Sequence, residues 1–554
     1  MLLETLSVAR DFGRIHEISS ILIRYGFGDI VRRLGVASIV ESAGHVLKWQ
    51  EVSDLTHIEP PERVRRALED MGPTFVKLGQ LLATRQDLFP PEWLAEFKKL
   101  QDQVKTVPYA SLIAQIEEDL GAKPEEIFSE FSSEPLAAAS ISQVYKARLQ
   151  TGQAVIVKIR RPGIRSVVEA DLRLLAQLAD IAEQEVKLLQ RYHPKDIAHQ
   201  FTLSMRRELD LAAECRNAER MMENFHSEPT IVIPKVYWQW TGERINVQEF
   251  IDGIPGYNIK AIENAHLDRK LLAKRGAEAI LKMILADGFF HADPHPGNCF
   301  YLSDNRIAFI DFGMVGRLSE ERREQVLQLL KGLIEKDSQR VMKILLQWSP
   351  NTIIHNQDSF SLDIDDFIDQ YHDMPLKSLN MSDFLNNLGA LLRDHQLNLP
   401  PDLALLLKAF ITLDGLGRLL DPEFNLVATS SPLLQRIFLA RYSPEALLKR
   451  SRDNLFNLAE LLSHFPRDLH RLVKILSQGA FNLKIEIKQP DWLSKELDRS
   501  LNRLSVSLVT SALIVGSSIV TTVEGGSSSL VGLMGFVGAF IGGIWLLLSI
   551  FRSG

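Results

Sequence analysis

The chain has 554 residues, of which 45% are hydrophobic and 24% charged, and a formal net charge of −7. These values exclude collagen-like, largely disordered and polytopic membrane chains, and the lack of a net basic field argues against nucleic acid as a partner. Two cysteines, Cys215 and Cys299, are too few for a disulfide framework or a zinc ribbon, which fits a reducing compartment.

Residues 1–60 read as helices in which Arg10, Arg14, Arg24, Arg32 and Arg33 lie beside aliphatic positions. Acidic residues nearly balance those arginines, so a helix packed on the body is favoured over one lying on a membrane. Met1 to Arg10 lacks the basic start and continuous apolar stretch of a signal peptide. Pro60-Pro61 opens a helical extension over 61–134, with one helical pattern from Glu62 to Leu82, a Phe89-Pro90-Pro91 break and a helix from Ala110 to Leu120. From 135 to 260 the character is α/β. VYKARL (144–149) and AVIVKI (154–159) form a strand hairpin around Thr151-Gly152, helices span Ser166–Gln190 and Ile197–Phe225, and IVIPKVYW (231–238) and RINVQEF (244–250) are strands. Residues 261–490 are mostly helical, with a helix over 268–287, short strands at 300–302 and 307–311, and helices from 319 to about 487.

The last fifty residues differ from all the rest. Leu504–Val523 and Leu530–Phe551 carry no Asp, Glu, Lys or Arg, and Glu524 is the only charge in the turn between them. Each run has about 20 residues, which as a helix crosses a roughly 30 Å hydrocarbon core, so 500–552 reads as a transmembrane hairpin. Gly538 and Gly542 make a small-xxx-small pair for close helix approach, and Lys495, Arg499, Arg503 and Arg552 favour both ends in the cytoplasm.

Chemistry concentrates in HADPHPGN (291–298) and IDFG (310–313). A turn between two short strands places Asp293, Asn298 and Asp311 around one point, and hard oxygen ligands of this kind suit Mg²⁺ bridging nucleotide phosphates. The spacing resembles the catalytic loop and Asp-Phe-Gly of protein kinases. VIVK (155–158) places Lys158 where a kinase lysine reaches the α- and β-phosphates, and Glu214 is its natural ion-pair partner, so an insertion must lie between that strand and that helix. The phosphate loop departs from the kinase pattern. In AAASISQV (Ala137, Ala138, Ala139, Ser140, Ile141, Ser142, Gln143, Val144) alanine and serine stand where glycines are expected, each side chain narrowing backbone freedom. VKLGQ (76–80) puts Lys77 and Gln80 on one helix face, and ELD (208–210) offers Glu208 and Asp210 as acidic partners.

Together KLGQ, AAAS, VIVK, ELD, HADPHPGN and DFG resemble the UbiB family of atypical, kinase-like proteins of ubiquinone biosynthesis, over about residues 60–330. The resemblance implies an α+β, two-lobed kinase-like fold with an N-terminal helical extension and a C-terminal two-helix membrane anchor. It also implies ATP and Mg²⁺ as cofactors, with Lys158 and Glu214 as the ion pair, Asp293 as the catalytic-loop acid, and Asn298 and Asp311 as metal ligands. Lys77 and Gln80 would occupy the cleft where a protein substrate binds, with Glu208 and Asp210 fixing Lys77. The implied function is ATP hydrolysis supporting coenzyme Q synthesis at the bacterial inner membrane, with the body in the cytoplasm and with quinone or polyprenyl intermediates, biosynthetic enzymes and membrane lipid as partners. The alternatives are a nucleotide-responsive scaffold without phosphoryl transfer and, less favoured, a protein kinase. Against the latter, no Ala-Pro-Glu follows Asp-Phe-Gly, Ala292 replaces the usual arginine, and a helix carrying Lys77 would obstruct the cleft.

Overall fold

The computed structural model describes residues 2–33, 58–100, 106–185, 190, 193–349, 357–372, 381–426 and 429, and near the C-terminus 507–519, 534–535 and 537–542. Helices α1 (Leu2–Arg24) and α2 (Gly28–Arg33) precede α3 (Pro60–Met71), α4 (Pro73–Leu82) and α5 (Pro91–Phe97). The pattern from Glu62 to Leu82 is therefore two helices rather than one. Gly72 takes a positive φ of 95° that a side chain resists, and Pro73 suits the first turn of α4 because its missing N–H has no partner there. Gly79 brings α4 against Leu100, whose Cδ1 lies 2.1 Å from where a Cβ would stand.

After α6 (Ile113–Leu120) and the single turn α7 (Pro124–Ile127) come β1 (Phe128–Phe131), β2 (Ala137–Ala138), β3 (Ser142–Leu149) and β4 (Ala154–Arg160). Helices α8 (Ile164–Glu185), α9 (Pro194–Glu208) and α10 (Leu211–Asn224) follow, then β5 (Ile231–Val232) and β6 (Ile245–Glu249). An antiparallel sheet runs β1-β3-β4-β6, with β2 on the edge of β3. Tyr145, Val155, Val157, Ile159, Ile245 and Val247 alternate onto one face and pack on α6, which leaves Lys158 on the other. The stretch 231–238 is mostly not strand: beyond β5 only Val236 bridges to Gln248.

The helix expected over Ile197–Phe225 breaks between Glu208 and Leu211. Asp210 is an N-cap in extended conformation whose carboxylate accepts from Ala212 N at 3.0 Å, so a new helix starts there. The helices between β4 and α10 do not pack on the sheet. Val168, Leu172, Phe201 and Met205 share one core with Ile18, Leu68, Phe75 and Phe97 of the N-terminal segment. Its polar tie is Asp171 on α8, buried and bonded by Arg14 Nε at 2.7 Å and by Thr74 Oγ1 at 2.6 Å, while Arg14 also donates to the Met71 carbonyl. The N-terminal helix thus packs on the body and fixes α4, the helix that carries Lys77.

The rest of this unit, which spans Met1–Ala446, holds β7 (Ile254–Pro255), α11 (Ile259–Asn264), α12 (Arg269–Leu281) with a π-helical turn over Lys282–Asp287, β8 (Phe289–His291), β9 (Cys299–Leu302), β10 (Arg306–Phe309) and β11 (Val315–Arg317). Helices α13 (Glu320–Glu335), α14 (Ser338–Trp348), α15 (Gln357–His372), α16 (Met381–Asp394) and α17 (Pro401–Leu420) complete it. Strands β5-β10-β9-β7 form a second small sheet and β8 pairs with β11. One apolar core runs from Cys215 and Met221 of α10 through Phe289 and Phe309 to Leu413 of α17. The helices expected up to residue 487 are seen as far as Leu420, a turn follows, and apart from residue 429 the stretch from 427 to 487 lies outside the described residues.

Leu447–Gly554 is a separate unit. Among the described residues no helix is long and apolar enough to cross a membrane. Of the two uncharged runs, 507–519 and 537–542 are helical and their ends lie outside the described residues. The two segments meet through small residues: a Cβ on Gly535 would stand 2.0 Å from Ser517 Oγ, and one on Gly542 would stand 2.9 Å from Thr510 Oγ1. Gly538 is less tight, with Leu513 Cδ1 at 3.8 Å, so the close approach uses glycines two turns apart rather than the expected pair. Ser517 is 5% exposed while Leu508 and Phe540 are 67% and 70% exposed, so polar and small residues face inward and large apolar ones outward.

Candidate active site

Strand alternation aims Lys158 away from the sheet core and toward α10, where Glu214 sits one turn beyond the Asp210 cap. Lys158 Nζ lies 2.8 Å from Glu214 Oε2 and 3.5 Å from Asp311 Oδ2, joining residues from three distant parts of the sequence. One ammonium faces two carboxylates. Burial disfavours the charged lysine, but Asp311 and Glu214 outweigh it and hold its pKa well above the usual value. Burial pushes the Glu214 carboxyl up to about 7 against the pull of Lys158, whereas Lys158 holds half-exposed Asp311 down at about 2, helped by the Gly313 N–H.

This asymmetry has a stability consequence in the nucleotide-free protein. Native Glu214 keeps a proton that the unfolded chain loses near pH ~4.3, so the stabilisation present at low pH is lost as pH rises toward about 7. Glu214→Gln cannot ionise and is expected to flatten that limb in urea midpoints measured from pH 4.5 to 7.5. Identical slopes in the two proteins would remove Glu214 as the titrating group.

The π-helical turn ends at Gly288 and leads into β8, whose last residue, His291, is fully buried. Its Nε2 lies 3.2 Å from the Ile310 carbonyl and its Nδ1 accepts from Asp293 N at 3.2 Å. An N–H donor at Nδ1 and a carbonyl acceptor at Nε2 require the neutral Nε2–H tautomer, and burial lowers the pKa accordingly. His291 therefore ties the backbone before Asp311 to the start of the loop carrying Asp293. Asn298 Nδ2 donates to the Asp293 carbonyl at 3.2 Å, which leaves its Oδ1 as the atom available to a ligand. Asp311 has φ +59°, uncommon for a side-chain-bearing residue, and its Oδ1 accepts from Gly313 N. On the other side Asn217, three residues after Glu214, donates to the Phe312 carbonyl at 3.0 Å, so α10 holds both the lysine and the Asp-Phe-Gly backbone.

Lys77 Nζ meets Glu208 Oε1 at 2.9 Å, as expected, and its charge is felt at Asp311. Asp210 does not join them: it caps α10 and pairs with Arg216 at 2.8 Å. Gln80 donates to the Leu100 carbonyl at 3.2 Å, so Gly79 and Gln80 both hold the segment that follows α5. In the alanine stretch, Ala137 and Ala138 pair with Val144 and Gln143, and Ala139 N closes a tight turn onto the Ser142 carbonyl. Arg161 Nε donates to the Ala139 carbonyl at 3.0 Å. Ser140 is buried with its hydroxyl unsatisfied, while Ile141 enters the helical core and Ser142 is buried beside it. Gln143 is fully buried and its amide holds the Val107 backbone, so its side chain is turned from the cleft, whereas Val144 lies across from Lys158 on the cleft face.

Sequence reasoning missed Asn217, His291 and Lys408. Lys408 of α17 places Nζ 3.0 Å from Asp293 Oδ2. A cleft of about 1270 Å³ opens beside the site between Asp210, Glu214 and Asn217, Gly313 and Met314, and Pro400, Pro401 and Leu405. Among the described residues no group of three His, Cys, Asp or Glu side chains is placed to hold a metal ion. Asp311 and Asn298 are brought near one another by the bond from Ile310 N to the Asn298 carbonyl, and an ionised carboxylate and an amide oxygen fit Mg²⁺, which takes one or two protein oxygens and completes its shell with water and phosphate.

Three family profiles cover most of the chain: an ABC1 atypical kinase-like domain over 99–345, a UbiB helical domain over 364–425, and an ABC1/UbiB kinase-like C-terminal domain over 488–552. A probable protein kinase UbiB of Azotobacter vinelandii is 33% identical over 511 residues, covering 91% of this chain and 92% of that protein. The chain belongs to the UbiB family. A Pseudomonas aeruginosa relative of the same name is 34% identical, covering 92% of this chain and 94% of its own, and one from Pseudomonas putida is 35% identical over 84% and 86%. A solved Mycobacterium tuberculosis protein in complex with erythromycin aligns at 20% identity and a TM-score of 0.46, covering 72% of this chain and 97% of its own. The ABC1 atypical kinase-like profile ends at residue 345, so α17 and Lys408 fall in the UbiB helical domain over 364–425 rather than in the kinase-like one.

Proposed function

We propose that this UbiB family member is a membrane-tethered, kinase-like ATPase that supports ubiquinone biosynthesis in the bacterial inner membrane, its body in the cytoplasm. The observation that carries the reading is the Lys158–Glu214–Asp311 cluster facing the Asp293 loop. Lys158 would engage the α- and β-phosphates of ATP. Asn298 Oδ1 and Asp311 would hold Mg²⁺, which neutralises phosphate charge when bound. His291 and Asn298 keep the loop bearing Asp293 in one conformation. Water or a lipid intermediate, rather than a protein side chain, is the favoured acceptor. Only five residues separate Asp-Phe-Gly from Ser319, the cap of α13, a stretch too short to dock a peptide, and the Lys77–Glu208 pair stands at the cleft. The inward-facing glycines and outward-facing apolar residues of 507–519 and 534–542 support an anchor of two helices, because lipid offers no reason to bury apolar side chains between them. The implied partners are quinone or polyprenyl lipid intermediates, biosynthetic enzymes and inner-membrane lipid.

The test uses the purified full chain with Mg²⁺–ATP and vesicles of zwitterionic lipid, anionic lipid, or anionic lipid with a prenylated phenol. Slow hydrolysis that rises severalfold in the last two is expected. Failure to bind nucleotide under any of these conditions would end the proposal, and vesicle-independent hydrolysis would remove the membrane part of it.

A further inference from the structure

The helix α17 reads PDLALLLKAFITLDGLGRLL, and Lys408 is the only lysine in it. Ala404 and Ala409 beside it are buried in the main core, and α17 packs on α12 and β11. A lysine in such a setting loses hydration and side-chain freedom, and an ion pair there returns little net stability. Among the described residues its ammonium nonetheless makes two polar contacts, both to the site: Asp293 Oδ2 at 3.0 Å and Met314 Sδ at 3.5 Å. Met314 immediately follows Asp-Phe-Gly, and its carbonyl accepts from Ala292 N, the residue before Asp293. Lys408 therefore touches the loop that follows β8 and the residue that precedes β11, beside the bond from Ala292 to Met314 that joins the two segments.

We infer that Lys408 is a positioning residue for Asp293, supplied to the kinase-like site by the helical segment that follows it. The backbone around Asp293 is already fixed by His291 and Asn298. What those bonds leave free is rotation of the carboxylate itself, and Lys408 is the group that selects one orientation. The site is then incomplete without α17, and any displacement of that helix alters the carboxylate without touching the residues that hold nucleotide. The inference rests on the ATPase reading above.

The experiment is steady-state ATP hydrolysis and separate equilibrium nucleotide binding by the full chain carrying Lys408→Met or Lys408→Arg, with thermal melting as the check on folding. Methionine keeps the length and apolar stem, so α17 should stay packed. For Lys408→Met the expected result is a fall in kcat of about 100-fold, the cost of a misoriented group at a reacting centre, with KM and nucleotide affinity changed less than about threefold. Lys408→Arg should recover kcat to within about tenfold of wild type, because it restores the ion pair with altered geometry. Combining Lys408→Met with Asp293→Asn should cost little beyond Asp293→Asn alone. Unchanged kcat in Lys408→Met, or additive losses in the double variant, would overturn the inference while leaving the ATPase reading intact. Absence of nucleotide binding by the wild type would instead defeat that reading first. If Lys408→Met melts early, the Arg variant and the double variant still decide, since a purely structural lysine predicts kcat tracking the folded fraction.

Discussion

Asp311→Asn is expected to abolish Mg²⁺-dependent ATP hydrolysis, a loss of at least about 100-fold, in a chain that remains folded. Asparagine nearly matches aspartate in shape and tolerates the left-handed region, so the φ of +59° is kept. What disappears is the charge. Lys158 now holds that carboxylate ionised far below neutrality, so at any working pH the site offers a full negative ligand to a divalent cation. An amide oxygen is a much weaker one. The same change frees Lys158 from its second partner and leaves it wholly to Glu214, so metal-free nucleotide should still bind. Mg²⁺ titration of nucleotide binding and hydrolysis, beside a melting curve, checks each part. Undiminished Mg²⁺-stimulated turnover would remove Asp311 as a metal ligand.

The second large effect lies far from the reacting groups. Arg14→Ala leaves the Asp171 carboxylate buried with Thr74 as its remaining side-chain partner, and breaking one half of a buried pair costs about 3–5 kcal/mol. The expected result is a urea midpoint shifted down by that much stability, with activity reduced as well, because Thr74 lies on α4 one turn before Lys77. Replacing the pair together, Arg14→Met with Asp171→Leu, should recover most of the loss, since an apolar pair needs no compensation in that core. A single-variant loss below about 1 kcal/mol would show that solvent reaches Asp171 and that the tie is weak.

The residues whose chemistry needs a fixed local spacing were legible in the sequence. Asp293 and Asn298 share one loop, Asp311 follows the second strand after it, and the likeness of VIVK to a kinase strand put Lys158 in the site. Glu214 was legible as the partner of Lys158 from the kinase pattern of a strand lysine and a helix glutamate, and the pairing of Lys77 with Glu208 followed from the family resemblance. Helix breaks were harder. The apolar period runs unbroken through Leu209, and only the cap bond from Asp210 to Ala212 shows that a new helix begins. That capping role is also why Asp210 is unavailable to Lys77. At Gly72-Pro73 the signal was present, a glycine followed by a proline, and periodicity overrode it. Lys408 could not be paired from local pattern at all, because its partner is distant in sequence, although a single lysine in LALLLKAFI was itself a visible irregularity. Gln143 was misleading in the opposite way, since its place in the phosphate-loop stretch conceals a side chain spent on Val107.

The core shared by Ile18, Leu68, Phe75, Val168, Phe201 and Met205 joins two stretches that the sequence keeps apart, the N-terminal extension and the helices inserted between Lys158 and Glu214. Among the described residues neither has an apolar core of its own, and each presents to the other the face it would otherwise show to water. Physically they are one cassette in two pieces. A chain without the insertion would be left with an extension it could not bury, and one without the extension would carry a sticky insertion beside Lys158. Deleting either alone is therefore expected to expose apolar surface and cost solubility, whatever it does to the chemistry of the site.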